Sequence, residues 1–271
     1  MLTYRIMKRV MRLWKSTGRN SRHLYGLVFA TLALSIGASS AAPSIEELQK
    51  LARKRDNYEE QFLLGMHYFN GDVPKKDAGD ALVQFKKAAK SLSKAQHMVG
   101  LCYALGAGVK RNDKEAFGWF QKAADAGDDT ATFKVAVCYE KGLGVDKSPS
   151  AALRWYKRLS DKGIMEAQYK VGLAHYRGMG TAIDYSAAAK LFLQAAEQGH
   201  QASQLTLGGC YRAGQGVPRD FVQAYKWLGL AAELGNATAQ ERLDSLIKYG
   251  MKKIQVDQAK KLIAEFKTVS K

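Results

Sequence analysis

Three cysteines and five histidines are the residues of this chain that most directly suggest chemistry. Cysteine and histidine side chains together bind metals or carry redox reactions. Cys102, Cys138 and Cys210 each stand directly before a tyrosine. Because they share this position, the three cysteines lie in equivalent helices of different units. Packed helices lie about 8–10 Å apart, whereas a disulfide needs Cα atoms within about 7 Å of each other. We therefore interpret the three thiols as small buried apolar groups.

The histidines show none of the spacings that metal sites or catalytic pairs require. The sequence has no HExxH motif, no catalytic Cys–His pattern and no serine elbow. We therefore predict no catalytic residues, no metal site and no cofactor, and a protein that is not an enzyme. The histidines are scattered along the chain at His23, His67, His97, His175 and His200.

Paired glycines such as Gly142 and Gly144, or Gly178 and Gly180, are the remaining candidates, because glycine-rich loops can hold phosphate groups. A phosphate loop follows a strand and continues into GxGxxG or Gly-Lys-Ser/Thr. Here the pairs follow helical segments and neither continuation is present. We interpret them as structural turns of a repeat.

The elements that position these residues recur with a fixed period, which is the signature of a repeat architecture. A small anchor residue recurs at intervals of 35 or 36, and every other landmark follows it in register. Tyrosine or histidine stands three residues later and glycine six later, then an alanine, a bulky pair such as Trp155-Tyr156 and, in four units, a closing glycine. The anchors are Gly65, Gly100, Ala136, Gly172 and Gly208.

Each unit predicts two helices, which we call helix A and helix B. Helix A carries the anchor and ends at the glycine six residues later, since glycine favours the left-handed cap of a helix. Helix B starts after a residue whose side chain accepts hydrogen bonds from free N–H groups. The predicted N-caps are Asp77, Asn112, Ser148, Asp184 and Asp220. One such hairpin cannot bury its apolar face alone, so the units must stack as a solenoid.

The first 42 residues are predicted to be a secretory signal. The chain of 271 residues has 42 Lys and Arg against 25 Asp and Glu, a charge of +17. Seven of the basic residues precede Leu24, and an apolar stretch runs from there to Ile36, before Ser39 and Ala41 in the positions that a signal peptidase reads. Cleavage after Ala41 leaves 35 basic and 25 acidic residues, a charge of +10.

We accordingly expect a bacterial protein that is exported to the periplasm or secreted. The alternative is an uncleaved anchor in the inner membrane, since residues 24–42 are mostly apolar or small, and the chain would touch a membrane only through that segment. The remaining positive charge lies in scattered lysine pairs rather than in a dense run. We interpret it as solvated surface and expect no nucleic-acid partner.

The predicted organisation is one array with a cap at each end. A capping helix spans 43–57, and the repeats lie at about 58–93, 94–128, 129–164, 165–199 and 200–236. C-terminal capping helices follow in 237–271, as a partial sixth unit with Leu243, Leu246 and Ile247 and a last amphipathic helix with Val256, Ala259, Leu262, Ile263 and Phe266.

The repeat pattern resembles the Sel-one-like repeat family, whose tetratricopeptide-like hairpins have a longer loop between the helices. The second unit, from Ala95 to Ala124, and the fifth, with Gly208, Tyr211 and Trp227, are very similar to the family pattern. The resemblance implies an all-α, right-handed α/α superhelical solenoid of five helix-loop-helix repeats with terminal capping helices. It also implies a scaffold or adaptor for protein complexes, so we expect a monomer that binds another protein or peptide.

One face of helix A is the predicted partner-binding surface, because related arrays line their concave side with helix A. Positions three before, one after and four after the anchor share that face. An apolar and aromatic wall of this kind suits a partner helix or an extended peptide, although the same residues would also serve to pack the A helices together. The candidates are Phe62, Met66, Phe69, His97, Leu101, Phe133, Val137, Glu140, Tyr169, Leu173, Tyr176, Leu205 and Arg212.

The alternative function is an envelope enzyme or binding protein that acts on peptidoglycan or a β-lactam-like ligand, an activity attributed to some exported relatives. Such an enzyme would need a nucleophile with a base nearby, and the sequence shows no such pair.

Overall fold

A computed structural model describes residues 43–73 and 76–269, and every regular element in those ranges is an α-helix. The all-α prediction is confirmed. The predicted signal segment lies outside the described residues. The helices are α1 Ile45–Leu51, α2 Tyr58–Asn70, α3 Ala78–Ala88, α4 Ser93–Leu105, α5 Asp113–Asp125, α6 Asp129–Lys141, α7 Pro149–Ser160, α8 Met165–Arg177, α9 Tyr185–Glu197, α10 Gln201–Ala213, α11 Phe221–Glu233, α12 Ala237–Gly250 and α13 Lys253–Val269.

Helix A of the five repeats corresponds to α2, α4, α6, α8 and α10, and helix B to α3, α5, α7, α9 and α11. All five predicted N-caps of helix B are confirmed, because each side chain accepts a hydrogen bond from a backbone N–H of the first turn. Pro149 occupies the first turn of α7, where its missing N–H has no intrahelical partner to lose. Every helix A ends at its predicted glycine in the left-handed region. Local sequence signals therefore set the length of each helix.

The two helices of a repeat pack closely because the anchor is small. A Cβ added to Gly172 of α8 would lie 2.7 Å from the Phe192 ring of α9, and Gly65 relates to Phe85 in the same way. Phe85 and Phe192 are fully buried. The large residue of helix B thus fills the space that the missing side chain of helix A leaves.

The chain divides into two compact units, Met1–Arg111 and Asn112–Lys271. In the described part of the first, α1 packs on α2, α2 pairs with α3, and α3 packs on α4. In the second, α6 pairs with α7, α8 with α9 and α10 with α11, and each helix B packs on helix A of the following repeat. Within each unit the core is therefore continuous from one repeat to the next.

The C-terminal helices cap the second unit from two directions. Helix α12 follows α11 as helix A of another repeat would, whereas α13 returns to pack on α11 itself. Leu243, Leu246, Ala259 and Ile263 are buried, as the predicted faces require. Ile247, in the same helix as Leu243 and Leu246, is 43% exposed. None of the helices in the described ranges is long and apolar enough to cross a membrane.

Candidate functional site

The predicted partner-binding residues lie on the A helices of both units. In the first unit they are Phe62, Met66 and Phe69 on α2 with His97 and Leu101 on α4; in the second, Phe133, Val137 and Glu140 on α6, Tyr169, Leu173 and Tyr176 on α8, and Leu205 and Arg212 on α10. His97 is buried and Arg212 is exposed, while the other members are partly buried. Apart from His97 and Arg212, the members are thus neither free surface nor core, and their contacts decide what they can do.

The aromatic members rest on the large helix B residue of their own repeat. The rings of Tyr169 and Tyr176 lie on Phe192, with centroids 5.8 and 6.1 Å away. In the first unit Phe62 and Phe69 flank Phe85 at 5.9 and 6.1 Å. One side of each ring is therefore fixed by the core, which leaves the partly exposed side rigid.

A similar contact joins Phe133 of α6 to Tyr156 of α7, where the ring centroids are 5.1 Å apart. The Tyr156 hydroxyl donates a hydrogen bond to Glu140 at 2.5 Å. Lys170 of the next repeat lies 3.0 Å from both Glu140 carboxylate oxygens. Glu140 therefore connects the third repeat to the fourth.

The fourth and fifth repeats are joined through the two tyrosines of α8. The Tyr176 hydroxyl donates to Gln215 Oε1 at 2.6 Å, and the Tyr169 ring lies 4.8 Å from the His200 ring. With Glu140 and Lys170, these contacts link the face across three successive repeats of the second unit. The sequence allowed that these residues pack the A helices together, and Glu140 with Lys170 does join α6 to α8. The aromatic rings rest on helix B of their own repeat as well.

The face carries one paired carboxylate among largely uncharged groups. Burial by itself would raise the pKa of Glu140, but the hydrogen bonds from Tyr156 and Lys170 outweigh it and hold that pKa below its ordinary value. Burial raises the pKa of Tyr176 and lowers the pKa of His200. At neutral pH the surface therefore offers the neutral, hydrogen-bonded hydroxyl of Tyr176 beside a negative charge that already has a partner.

The sequence analysis missed an apolar extension of this face in the fourth repeat. Tyr185 makes an edge contact with Tyr176 at 5.2 Å, and its exposed fraction is 38%. Met179 and Ile183, in the preceding loop, are 39% and 56% exposed. The loop from Gly178 to Ile183 has no charged residue, whereas the corresponding loops of the second, third and fifth repeats each contain Lys or Arg. That difference was the signal available in the sequence.

The paired glycines have a structural explanation in the second unit. The space beside the second glycine of each pair is filled by protein backbone: a Cβ on Gly144 would lie 2.0 Å from the carbonyl oxygen of Asp113, and one on Gly180 would lie 2.5 Å from the carbonyl carbon of Pro149. The loop therefore packs on the start of the preceding helix B.

The thiols lie in the core of their repeats. Cys102, Cys138 and Cys210 are free and buried, and burial raises the pKa of Cys102 to about 12 and those of Cys138 and Cys210 to about 11. A nucleophilic cysteine requires a lowered pKa. In the part of the chain that the structure describes, no three His, Cys, Asp or Glu side chains are grouped to hold a metal ion.

Comparison with protein families assigns repeats to most of the described chain. The model named Sel1 repeat matches residues 61–91, 93–128, 130–164, 166–200 and 201–236, which together make up more than half of the sequence. Among curated proteins, no sequence match to the chain was found.

Two solved structures share both the fold and sequence similarity. A protective antigen of uropathogenic Escherichia coli that displays an SLR fold is 25% identical, with a TM-score of 0.74, and the match covers 95% of this chain and 56% of that one. A Sel1 repeat protein from Oxalobacter formigenes is 32% identical, with a TM-score of 0.66, and the match covers 74% of this chain and 58% of that one. This chain therefore matches less than three fifths of the length of either protein.

Proposed function

This chain belongs to the Sel1 repeat family, and on that premise we propose that it is an exported, non-enzymatic scaffold that binds another protein. The partner lies on the helix A face described above. Repeat arrays of this kind present extended surfaces rather than deep pockets. A scaffold that recognises a helix or an extended peptide fits that geometry.

One observation carries the proposal: Tyr169 and Tyr176 are held on buried Phe192 and remain partly exposed. Tyrosine is enriched among the residues that contribute most to protein interfaces, since it adds apolar area and a hydrogen bond at little cost in side-chain entropy. Rings already fixed by the core lose little further freedom when a partner binds. The exposed Tyr185, Met179 and Ile183 extend the same apolar surface.

Export is part of the proposal and is supported by residues 1–42. Their basic start, short apolar stretch and small residues before Pro43 are the three parts of a secretory signal. N-terminal sequencing of protein recovered from the bacterial envelope tests this part. A mature chain that begins before Leu24 would contradict cleavage.

The alternative enzyme that acts on peptidoglycan or a β-lactam-like ligand needs a nucleophile beside a base. Burial raises the pKa values of the three thiols, which makes them poor candidates for that nucleophile. Incubation of the purified protein with cell-wall fragments separates the two functions, because turnover would support the enzyme.

The central experiment is a crosslinked pull-down from the native envelope, followed by mass spectrometry. Partners that depend on the helix A face are lost with Tyr169→Ala and Tyr176→Ala. Tyr139→Ala is the matched control, because Tyr139 is also a partly buried helix A tyrosine but packs on Phe117 at 5.4 Å, away from this face. The proposal fails if the two variants keep their helical signal and still capture the same partners, or if Tyr139→Ala loses them equally.

A further inference from the structure

Helix B carries a second surface, defined by the positions 19 and 22 residues after each anchor. These two positions are one helical turn apart and lie on one side of the helix. In the second repeat Lys122 lies 4.6 Å from the centre of the Trp119 ring, and in the third Arg158 lies 4.0 Å from that of Trp155. In the fourth repeat the positions hold Leu191 and Gln194, and in the fifth they hold Trp227 and Leu230.

In the fifth repeat a helix of this chain already covers that surface. Phe266 of α13 meets Trp227 edge to face, with ring centroids 5.5 Å apart. Only 2% of Trp227 and 6% of Leu230 are exposed. Lys226 lies over both rings, 4.5 Å from the Trp227 centre and 5.0 Å from that of Phe266.

Further along the same pair of helices, Ile263 packs so close to Gly229 that a Cβ there would lie 2.7 Å from Ile263 Cδ1. An ion pair of 2.6 Å joins Lys267 of α13 to Glu233 of α11. Helix α13 thus shows how this side of a helix B can hold an amphipathic helix. Its apolar side chains Ile263 and Phe266, one turn apart, pack on Gly229 and Trp227, and an ion pair joins the two helices at the edge of the contact.

The equivalent side of α7 is partly exposed and carries three basic residues, with the acidic Asp161 at its C-terminal end. Arg154, Lys157 and Arg158 are exposed, and none of them forms an ion pair within the described part of the chain. Trp155 lies among them, partly buried. In the fifth repeat, where α13 covers the surface, the residue 22 positions after the anchor is the apolar Leu230. In the third repeat the equivalent residue is Arg158, which lies over the Trp155 ring.

We propose that this basic tryptophan surface of α7, formed by Arg154, Trp155, Lys157 and Arg158, docks an acidic amphipathic helix of another protein. An aromatic side chain of that helix takes the place of Phe266 on Trp155, and its carboxylates pair with the arginines. Tryptophan and arginine are the residue types most enriched at the centre of protein interfaces. This surface lies on helix B, so it is independent of the helix A face proposed above.

Charge decides between partner helices. The α13 helix of a second copy is a basic helix. It carries four lysines, Lys253, Lys260, Lys261 and Lys267, but only two acidic residues, Asp257 and Glu265. Placing that basic helix on α7 would oppose like charges, which lowers affinity. A helix of the same apolar pattern with acidic residues has the complementary charge.

The test uses the full chain and two synthetic peptides, measured by fluorescence anisotropy. One peptide has the sequence of residues 253–269; the other has the same sequence with Lys253, Lys260 and Lys261 replaced by glutamate. It keeps Lys267, because the acidic Asp161 of the third repeat stands at the position of Glu233, the partner of Lys267. We expect the acidic peptide to bind at least about tenfold more tightly than the basic one, with an affinity that falls as salt is added. Arg158→Glu should weaken that binding by about tenfold or more and improve binding of the basic peptide.

Lys147→Glu is the matched control, because it makes the same change of charge at an exposed position just before α7. The proposal is overturned if the acidic peptide does not bind, or if Lys147→Glu weakens it as much as Arg158→Glu does while both variants keep their helical signal. Phosphatidylcholine vesicles with and without phosphatidylserine provide the last comparison. Vesicle binding that Arg158→Glu abolishes, without peptide binding, would assign the surface to an anionic membrane and would also overturn the proposal.

Discussion

Gly216 lies against the backbone of Tyr185 so closely that a Cβ at Gly216 would be 1.9 Å from the Tyr185 carbonyl oxygen. Gly216 belongs to the loop of the fifth repeat, and Tyr185 begins helix B of the fourth. The same approach recurs within each unit, where the second loop glycine meets the start of the preceding helix B. The equivalent pairs are Gly108 with Ala78, Gly144 with Asp113 and Gly180 with Pro149. This glycine is therefore a stacking contact between repeats.

Gly216→Ala should destabilise the protein more than an ordinary glycine change at positive φ. Gly199→Ala is the control, because Gly199 also has positive φ but nothing lies near the position of its Cβ. A left-handed alanine costs about 1–2 kcal/mol, and overpacking adds about 1–3 kcal/mol at Gly216. Urea denaturation measures both variants, and equal losses would show that the contact with Tyr185 contributes nothing.

The hydrogen bond between Tyr176 and Gln215 should contribute measurably to the stacking of the fourth and fifth repeats. Tyr176→Phe keeps the ring contacts with Tyr185 and Phe192 and removes only the hydroxyl donor. We expect the free energy of unfolding to fall by about 1 kcal/mol. A double-mutant cycle with Gln215→Ala should give a coupling energy of similar size, and a coupling near zero would contradict the contact.

Glu140 should make stability depend on pH in the acidic range. Its pKa is lower in the folded protein than its ordinary value of 4.5. Its contribution is therefore complete above that value and is lost as the pH falls through the lower, folded pKa. Glu140→Gln should reduce stability at pH 7, and the difference from the unmodified protein should shrink on acidification.

Glu241→Gln removes an exposed carboxylate of α12 and serves as the control for the loss of charge alone. Chemical denaturation at several values between pH 7 and 3 provides the measurement. A difference between the unmodified protein and Glu140→Gln that grows on acidification would have the wrong sign for a lowered pKa.

The three thiols should be unreactive in the folded protein. Burial raises the pKa of Cys102 to about 12 and those of Cys138 and Cys210 to about 11, so very little thiolate is present at pH 8. We expect Ellman's reagent to modify none of them in the native protein and all three in urea. Rapid native modification of any one would show that its helix opens readily.

Much of the fold was predictable from sequence because its signals are local. Asp184 caps a helix through contacts only a few residues away, and Gly178 adopts the left-handed conformation that ends α8. The anchor glycines could also be identified from the period of the repeat. Their small size lets the two helices of a repeat pack closely, as Gly172 does against Phe192. These features depend on short separations or on the repetition of one pattern.

The sequence by itself thus determined five helical hairpins, their caps and the residues that share a face of helix A. Only the tertiary structure decided that Tyr169 and Tyr176 rest on Phe192, that Lys170 pairs with Glu140, and that α13 returns to cover Trp227. The physical reason is distance along the chain. Caps and periodic faces are determined by neighbours within a helical turn, whereas these contacts join separate helices and depend on how whole repeats pack.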